Sequence, residues 1–282
     1  MGVFIGLCLF LFAVAFYFNW NYEIIAFNPF WKDGQHEFKV MTWNVHCSKG
    51  ADCQRQKEIA ELILKEDADF VQLNEYYQDS CSVTDSLLRA KYPYTEESQS
   101  HWYCGDIFYS KKGMSNSGIV YDPIQEKSLQ TIKATIGVGG DYVQIFGVHM
   151  ASNNYNDYTM KEELKKVTSS YNRYKYAQKN RNSQAYWTKE AVLESKLPVI
   201  VMGDMNDFNC SAPLDTFTCN GMRDSWWEGG NGYGHTYHDG WIRLRIDHIL
   251  HSKKLKLESI KVIDTNLSDH NPVVAGFSVV RK

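Results

Sequence analysis

Asp204 and Asn206 stand two residues apart, just past the apolar run Val199-Ile-Val-Met202, which Gly203 breaks. Four consecutive apolar residues read as a buried strand. Polar side chains at i and i+2 of an extended segment point to the same side. A carboxylate and an amide placed in this way offer oxygen ligands to a hard cation, and an acceptor and a donor to a water molecule. The pattern recurs. Phe38–Asn44 closes on Asn44, Asp69–Glu75 closes on Glu75, and Tyr142–His149 closes on His149. Asp247 lies inside the apolar stretch Arg245–Leu250, and the pair Asp269-His270 comes just before Val273 and Val274. Brought to one place by rigid strands, these groups could hold a divalent metal and move protons. Glu75 is the first metal candidate, because a lone acid at the end of an apolar strand is costly unless it is paired or coordinated.

The pieces Trp43-Asn44, Gly203-Asp204-Met205-Asn206, Arg245-Ile-Asp247-His-Ile and Ser268-Asp269-His270 occur in an order that resembles the endonuclease/exonuclease/phosphatase superfamily, the DNase I-like phosphodiesterases. The resemblance spans roughly residues 38 to 280. Two positions depart from the common pattern: Asn74 precedes Glu75 where Gln is frequent, and Met205 stands where an aromatic is frequent. Neither removes a ligand oxygen. The resemblance implies an α/β fold, a four-layer αββα sandwich of two mixed sheets with helices outside. It also implies a phosphoester hydrolase using Mg²⁺, with Mn²⁺ able to substitute. Asn44, Glu75 and Asp269 are then expected at the metal. His149, Asp204, Asn206, Asp247 and His270 are expected to act on the reacting groups, and Asn44 and Asn153 to touch substrate; Arg181 is expected there on other grounds, as part of the basic run 161–189. Either Asp204 or His270 is the general base. Asp247 on one imidazole nitrogen of His270 would fix the tautomer and leave the other nitrogen to donate to a phosphoryl oxygen. His149 would contact phosphate or protonate the leaving oxygen.

The elements that must position these groups follow from periodicity. Gln54–Glu66 reads as a helix, with Ile59, Leu62 and Ile63 on one face. Strands are expected near 69–74, 106–110, 117–121, 131–138 and 142–148, the last two joined by the turn signal Gly139-Gly140-Asp141. Lys161–Ser195 reads as largely helical. Strand 199–202, a loop-rich stretch to Gly234, and strands near 235–238, 245–250 and 273–280 complete the chain. Strands interleaved with helices imply a layered α/β domain.

Composition sets further bounds. With 282 residues, the chain suits one large domain plus an appendage. A net charge of −3 disfavours a dedicated duplex binder, which is usually basic, although it leaves a metal-assisted nuclease open. One basic run, Lys161–Lys189, interleaves Lys and Arg with Tyr171, Tyr174, Tyr176, Tyr186 and Trp187. It reads as a solvated helix face or as a basic flank to the site, and it suits single-stranded nucleic acid or an anionic lipid surface equally.

Residues 1–22 carry no charged side chain and end in an aromatic cluster, Phe16, Tyr17, Phe18, Trp20 and Tyr22. As a helix they would span about 30 Å. They read as a membrane anchor or a signal segment, with 23–37 as a juxtamembrane linker and 38–282 as the catalytic domain. In the linker, Phe27, Phe30 and Trp31 could lie in the membrane interface. Cys47, Cys53, Cys81, Cys104, Cys210 and Cys219 follow the apolar segment. An even number behind an export-like segment suggests disulfides, with Cys47–Cys53, Cys81–Cys104 and Cys210–Cys219 the pairing expected, and an extracytoplasmic domain. The expectation is a monomeric, membrane-anchored phosphodiesterase or nuclease. Its alternatives are a phospholipid or sphingomyelin head-group phosphodiesterase and, in another class, a catalytically silent binding module.

Overall fold

The structure is a computed structural model that describes residues 13–14, 17, 19, 24–46, 53–76, 83–98, 105–123, 127–153 and 170–281. Two six-stranded mixed sheets stack on each other. The first contains β2 (Phe38–Asn44), β3 (Phe70–Tyr76), β4 (Tyr94–Glu97), β5 (Gly105–Ser110), β15 (Leu255–Val262) and β16 (Val273–Val279). Their order across the sheet is β15–β16–β2–β3–β5–β4. The second contains β6 (Met114–Asp122), β7 (Lys127–Val138), β8 (Asp141–His149), β9 (Val199–Asp204), β10 (Met222–Asp224) and β14 (Asp247–Ser252). Their order is β10–β14–β9–β8–β7–β6. Two short ribbons pair β1 (Ala26–Phe27) with β11 (Asn231–Gly232), and β12 (Tyr237–Asp239) with β13 (Ile242–Leu244).

The central strands are largely apolar because both of their faces are covered. Phe38, Val40, Phe70 and Phe108 of the first sheet meet Ile132, Ile145, Ile200 and Met202 of the second. Alternate residues point the other way. Met41, Trp43, Val71 and Leu73 pack on Ile59, Ala60 and Ile63 of α1 (Cys53–Glu66) and on Leu88 of α2 (Val83–Arg89). Val199 and Val201 lie among Ala185 and Val192 of α3 (Ser170–Glu194) and Leu214 and Phe217 of α4 (Ala212–Thr218). The result is the expected helix–sheet–sheet–helix order. The short α5 (Ser225–Gly229) follows β10 at the sheet edge.

Strand register places the chemistry. Asp247 pairs with Asp204 between β14 and β9, and His149 pairs with Asp204 between β8 and β9. Three polar side chains thus end three adjacent strands at one level. In the facing sheet, Asn44 pairs with Asn74, the residue before Glu75.

Several expectations need correction. The loop-rich stretch before Gly234 holds α4, β10 and α5; α2, β4 and β13 went unread because they are brief, and β15 because a register shift at Leu257–Ser259 breaks its alternation. The described residues of the 23–37 linker, 24–37, are bonded to the domain. Asn28 Nδ2 donates to Trp227 O and Gly230 O, Gly34 N to Glu258 O, and Glu37 N to Phe277 O. Trp31 packs against the core, whereas Phe27 and Phe30 are exposed. Cys210 and Cys219 are exposed thiols that form no bridge with each other, which overturns that pairing. Cys53 is disulfide-bonded, to a cysteine outside the described residues, and Cys47, Cys81 and Cys104 also lie outside them. Most of the 1–22 segment falls outside as well. Among the described residues, no helix is long and apolar enough to cross a membrane.

Gly203 is the tightest point of the frame. Its φ is +134°, and a Cβ there would sit 2.0 Å from the carbonyl oxygen of Val148 on the neighbouring strand. Gly203→Ala is therefore expected to destabilise the fold by about 3 kcal/mol or more, from steric overlap and a disfavoured backbone together. Urea unfolding measures this, and a loss under about 1 kcal/mol would show that the two strands can move apart.

Candidate active site

Asn44 stands where the two sheets meet. Its Nδ2 donates to Glu75 Oε1 and to Asp204 Oδ2, both at 3.0 Å. Its Oδ1 accepts from the backbone N–H of His46 at 2.9 Å. Asn44 thus braces two carboxylates from opposite sheets and turns its own oxygen toward the main chain. Glu75 leaves β3 with φ +50°, at an irregularity in the β3–β5 pairing. Non-glycine residues rarely adopt that conformation, and such kinks re-aim a side chain.

Around this brace lie two histidine–carboxylate pairs. His270 Nδ1 meets Asp247 Oδ2 at 2.8 Å, and its Nε2 lies 3.8 Å from Asp204 Oδ2. His149 Nδ1 meets Asp106 Oδ1 at 3.1 Å, and its Nε2 lies 3.8 Å from Glu75 Oε1. Burial disfavours charge on both rings, but the carboxylates outweigh it. Asp247 and Asp204 push His270 up to about 10, and Asp106, Asp204 and Glu75 push His149 up to about 10. Asp204 moves up as well, because it is buried and faces Asp247, with His270, His149 and Asn44 opposing the shift. Both imidazoles are therefore donors near neutrality, and Asp204 holds a proton more readily than an ordinary carboxylate does.

Turns complete the pocket. Asn206, at φ +51°, donates its backbone N–H to Asp204 Oδ1 at 2.8 Å and its Nδ2 to Met150 O at 3.0 Å. Ser268 Oγ donates to Asn44 O at 2.8 Å, and Trp43 Nε1 to His270 O at 2.8 Å, which pins the Asp269-His270 corner to β2. Asp269 Oδ2 lies 3.2 Å from His46 Nδ1, and Glu75 Oε2 lies 3.9 Å from the same nitrogen. Glu75 and Asp269 thus both face His46 and are partly open to solvent, while the ligand atoms of Glu75, His149 and Asp204, and those of Asp204, Asp247 and His270, lie within 4.8 Å of one another. Few carboxylates beside room for water suit Mg²⁺ or Mn²⁺. A buried oxygen, Asp247 Oδ1, also has no hydrogen-bond partner among the described residues, a condition usually resolved by water or an ion.

Arg181 is placed differently from expectation. It is fully buried and bonded to Asp207, Ala151, Asn153 and Gln178, so it does not extend to a substrate phosphate. Asn153 is exposed beside it. Asp106 went unread, although an acid opening the buried strand 107–110 carries the same signal as Glu75 closing one. It also accepts from Asn74 Nδ2 at 2.8 Å, while Asn74 Oδ1 accepts from Asp204 N at 3.1 Å. Also unread was the trio behind Asp247. Arg245 Nη1 donates to Asp224 Oδ2 at 2.9 Å and lies 3.1 Å from His248 Nδ1.

Comparison with known proteins accords with this geometry. The model of the Endonuclease/Exonuclease/phosphatase family matches residues 41–270. No curated protein sequence matches the chain. Among solved structures, a 3' phosphatase, NExo, from Neisseria, bound to a product DNA hairpin, aligns at TM-score 0.65 and 19% identity, covering 86% of this chain and 99% of that one. Truncated TDP2 from Caenorhabditis elegans aligns at TM-score 0.63 and 16% identity over 85% and 96% of the two chains. An AP endonuclease from Archaeoglobus fulgidus aligns at 0.64 and 16% over 86% and 100%. At these identities the likeness speaks for the fold.

The Asp224–Arg245–His248 trio gives a stability prediction. Burial raises the Asp224 carboxyl, but Arg245 and His248 outweigh it and hold the group well below the usual carboxylate range. Asp224 also caps α5 by accepting from Trp226 N at 2.8 Å. Asp224→Ala strands a buried guanidinium and should cost about 3–5 kcal/mol at pH 7. Because the folded pKa is depressed, this stabilisation is full above the ordinary value of 3.8 and fades as pH falls below it. Urea titrations of wild type and variant at pH 7 and pH 3 should show the gap narrowing in acid, and an equal gap at both would contradict the assignment.

Proposed function

The chain belongs to the endonuclease/exonuclease/phosphatase family, and from that premise we propose that it is a divalent-metal-dependent phosphodiesterase acting on nucleic acid. One observation carries this reading: Asp247, Asp204 and His149 end three adjacent strands at one level, with Glu75 and His270 each 3.8 Å from a member of that row. Glu75 and Asp269 would hold Mg²⁺ or Mn²⁺, with Asn44 bracing Glu75 against Asp204. When bound, such an ion polarises the phosphoryl group and offsets its charge.

The remaining steps fall to the chain's own residues. Asp204 is the general base. It accepts a proton from the attacking water, for which its raised proton affinity suits it near neutrality. Asn206, whose Nδ2 is committed to Met150 O, presents Oδ1 to the same water and aims it. His270 is a donor and not the base, because Asp247 and Asp204 keep a proton on it. Its Nε2–H and the Asn153 amide donate to non-bridging phosphoryl oxygens. His149, protonated under the influence of Asp106, gives a proton to the leaving oxygen.

Exposed Arg173, Lys175 and Lys179 on α3 support a polyanionic substrate, since Arg181 of the same helix bonds Asn153, four residues past His149. A second reading, a phospholipid head group as substrate, draws support from the exposed Ile24, Ile25, Phe27 and Phe30 that follow the uncharged 1–22 segment. That segment would tether the domain to a membrane with the catalytic part extracytoplasmic.

Activity on bis-p-nitrophenyl phosphate should vanish with EDTA and return with Mg²⁺ or Mn²⁺. Glu75→Gln, Asp204→Asn and His270→Ala should each lower kcat about 10²–10⁴-fold while melting within a few degrees of wild type. Full turnover in EDTA, or wild-type rates in Asp204→Asn, would defeat the metal and base assignments respectively. A panel of single-stranded DNA, RNA and sphingomyelin vesicles decides between the two substrate readings.

A further inference from the structure

We propose that Arg181 is a positioning residue that fixes the side-chain amide of Asn153 with its NH₂ toward the cleft. The proposal rests on the phosphoester reading above. Every nitrogen of the Arg181 guanidinium is engaged. Nε donates to Asp207 Oδ2 at 3.0 Å, Nη2 to Gln178 Oε1 at 2.8 Å, and Nη1 to both Ala151 O at 2.8 Å and Asn153 Oδ1 at 3.1 Å.

A guanidinium has donors and no acceptor, so the Asn153 atom facing it must be the carbonyl oxygen. The NH₂ is then forced to the opposite side. Asn153 is exposed while Arg181 is fully buried, so that opposite side is the solvent side. Among the described residues, the bond to Arg181 is the one side-chain hydrogen bond of Asn153. Without Arg181, the amide could turn about its last torsion and present either end at similar cost. Presented oxygen-first, it would repel a phosphoryl oxygen. Arg181 therefore selects the donor face.

The same guanidinium joins two pieces of the site. Gln184, three residues along α3, accepts from Ala151 N at 2.9 Å, so α3 holds both polar backbone groups of Ala151. Asp207 ends the turn that carries Asp204 and Asn206, and Asn206 reaches back to Met150. The segment from His149 to Asn153 and the turn from Asp204 to Asp207 thus form one unit, with Arg181 at the joint. Lysine could neutralise Asp207, but a single ammonium lacks the planar fork needed to serve all these acceptors.

The test uses the full chain in a double-substitution cycle, with inorganic phosphate as the probe and calorimetry as the readout. Arg181→Lys should weaken phosphate binding about tenfold, but less than about twofold in the Asn153→Ala background, because its effect passes through that amide. An equal loss in both backgrounds would overturn the proposal. If Arg181→Lys does not fold, Asn153→Asp decides. A carboxylate still accepts from Arg181, so the melting temperature should hold, while phosphate affinity falls about tenfold or more with the lost donor. A melting temperature lowered by many degrees, or unchanged affinity, would refute it. A wild type that binds phosphate but hydrolyses no phosphoester would remove the functional reading and leave this one standing; a wild type that binds no phosphate would sink the positioning role itself.

Discussion

One amide group, the Nδ2 of Asn44, binds the two sheets together at their chemical end. It donates at once to Glu75 of one sheet and to Asp204 of the other. Two carboxylates, one of them almost fully buried, would otherwise repel each other across the interface between the sheets, and an unmatched buried charge is among the costliest features a fold can carry. The donated hydrogens make the approach tolerable. They also fix where the free oxygens of Glu75 and Asp204 can lie, and hence where a cation and a water can be held.

The backbone around this amide is shaped to the same end. Glu75, His46 and Asn206 all adopt positive φ. His46 and Asn206 sit just past the ends of their strands and Glu75 at the irregularity within β3, and each re-aims a polar group. Such conformations cost free energy and persist when surrounding bonds over-determine them. Those bonds are on hand: His46 N to Asn44, Asn206 N to Asp204, and Ser268 to the carbonyl of Asn44. Behind them, Asp106, Asn74, Arg181 and Arg245 form buried polar connections that hold the strand ends level. The site is therefore the exposed edge of a hydrogen-bonded layer between two apolar cores.

The strand ends were legible because a polar side chain closing an apolar run has few reasons to be there. Asn44, Glu75, His149 and Asp204 close apolar runs, Asp247 lies inside one and His270 comes just before one, and the structure brings them together. Their mutual distances were not legible, since register and the stacking of sheets are set by contacts far apart in sequence. Arg181 was expected at the substrate because its run of Lys and Arg reads as a basic flank to the site. Only the packing of α3 shows that this one cation turns inward to Asp207, whereas Arg173, Lys175 and Lys179 stay exposed. The Cys210–Cys219 pairing rested on loop length alone, which carries no information about the direction of the side chains.

The account rests on Glu75 and Asp269 jointly holding a divalent ion beside Asp204 and His270. A crystal of the protein soaked in Mn²⁺ and measured at the manganese absorption edge tests this directly. The anomalous map should show a peak about 2.2 Å from an oxygen of Glu75 and in reach of Asp269, within one water of Asp204. A map with no peak there, or with manganese bound only elsewhere, would contradict it.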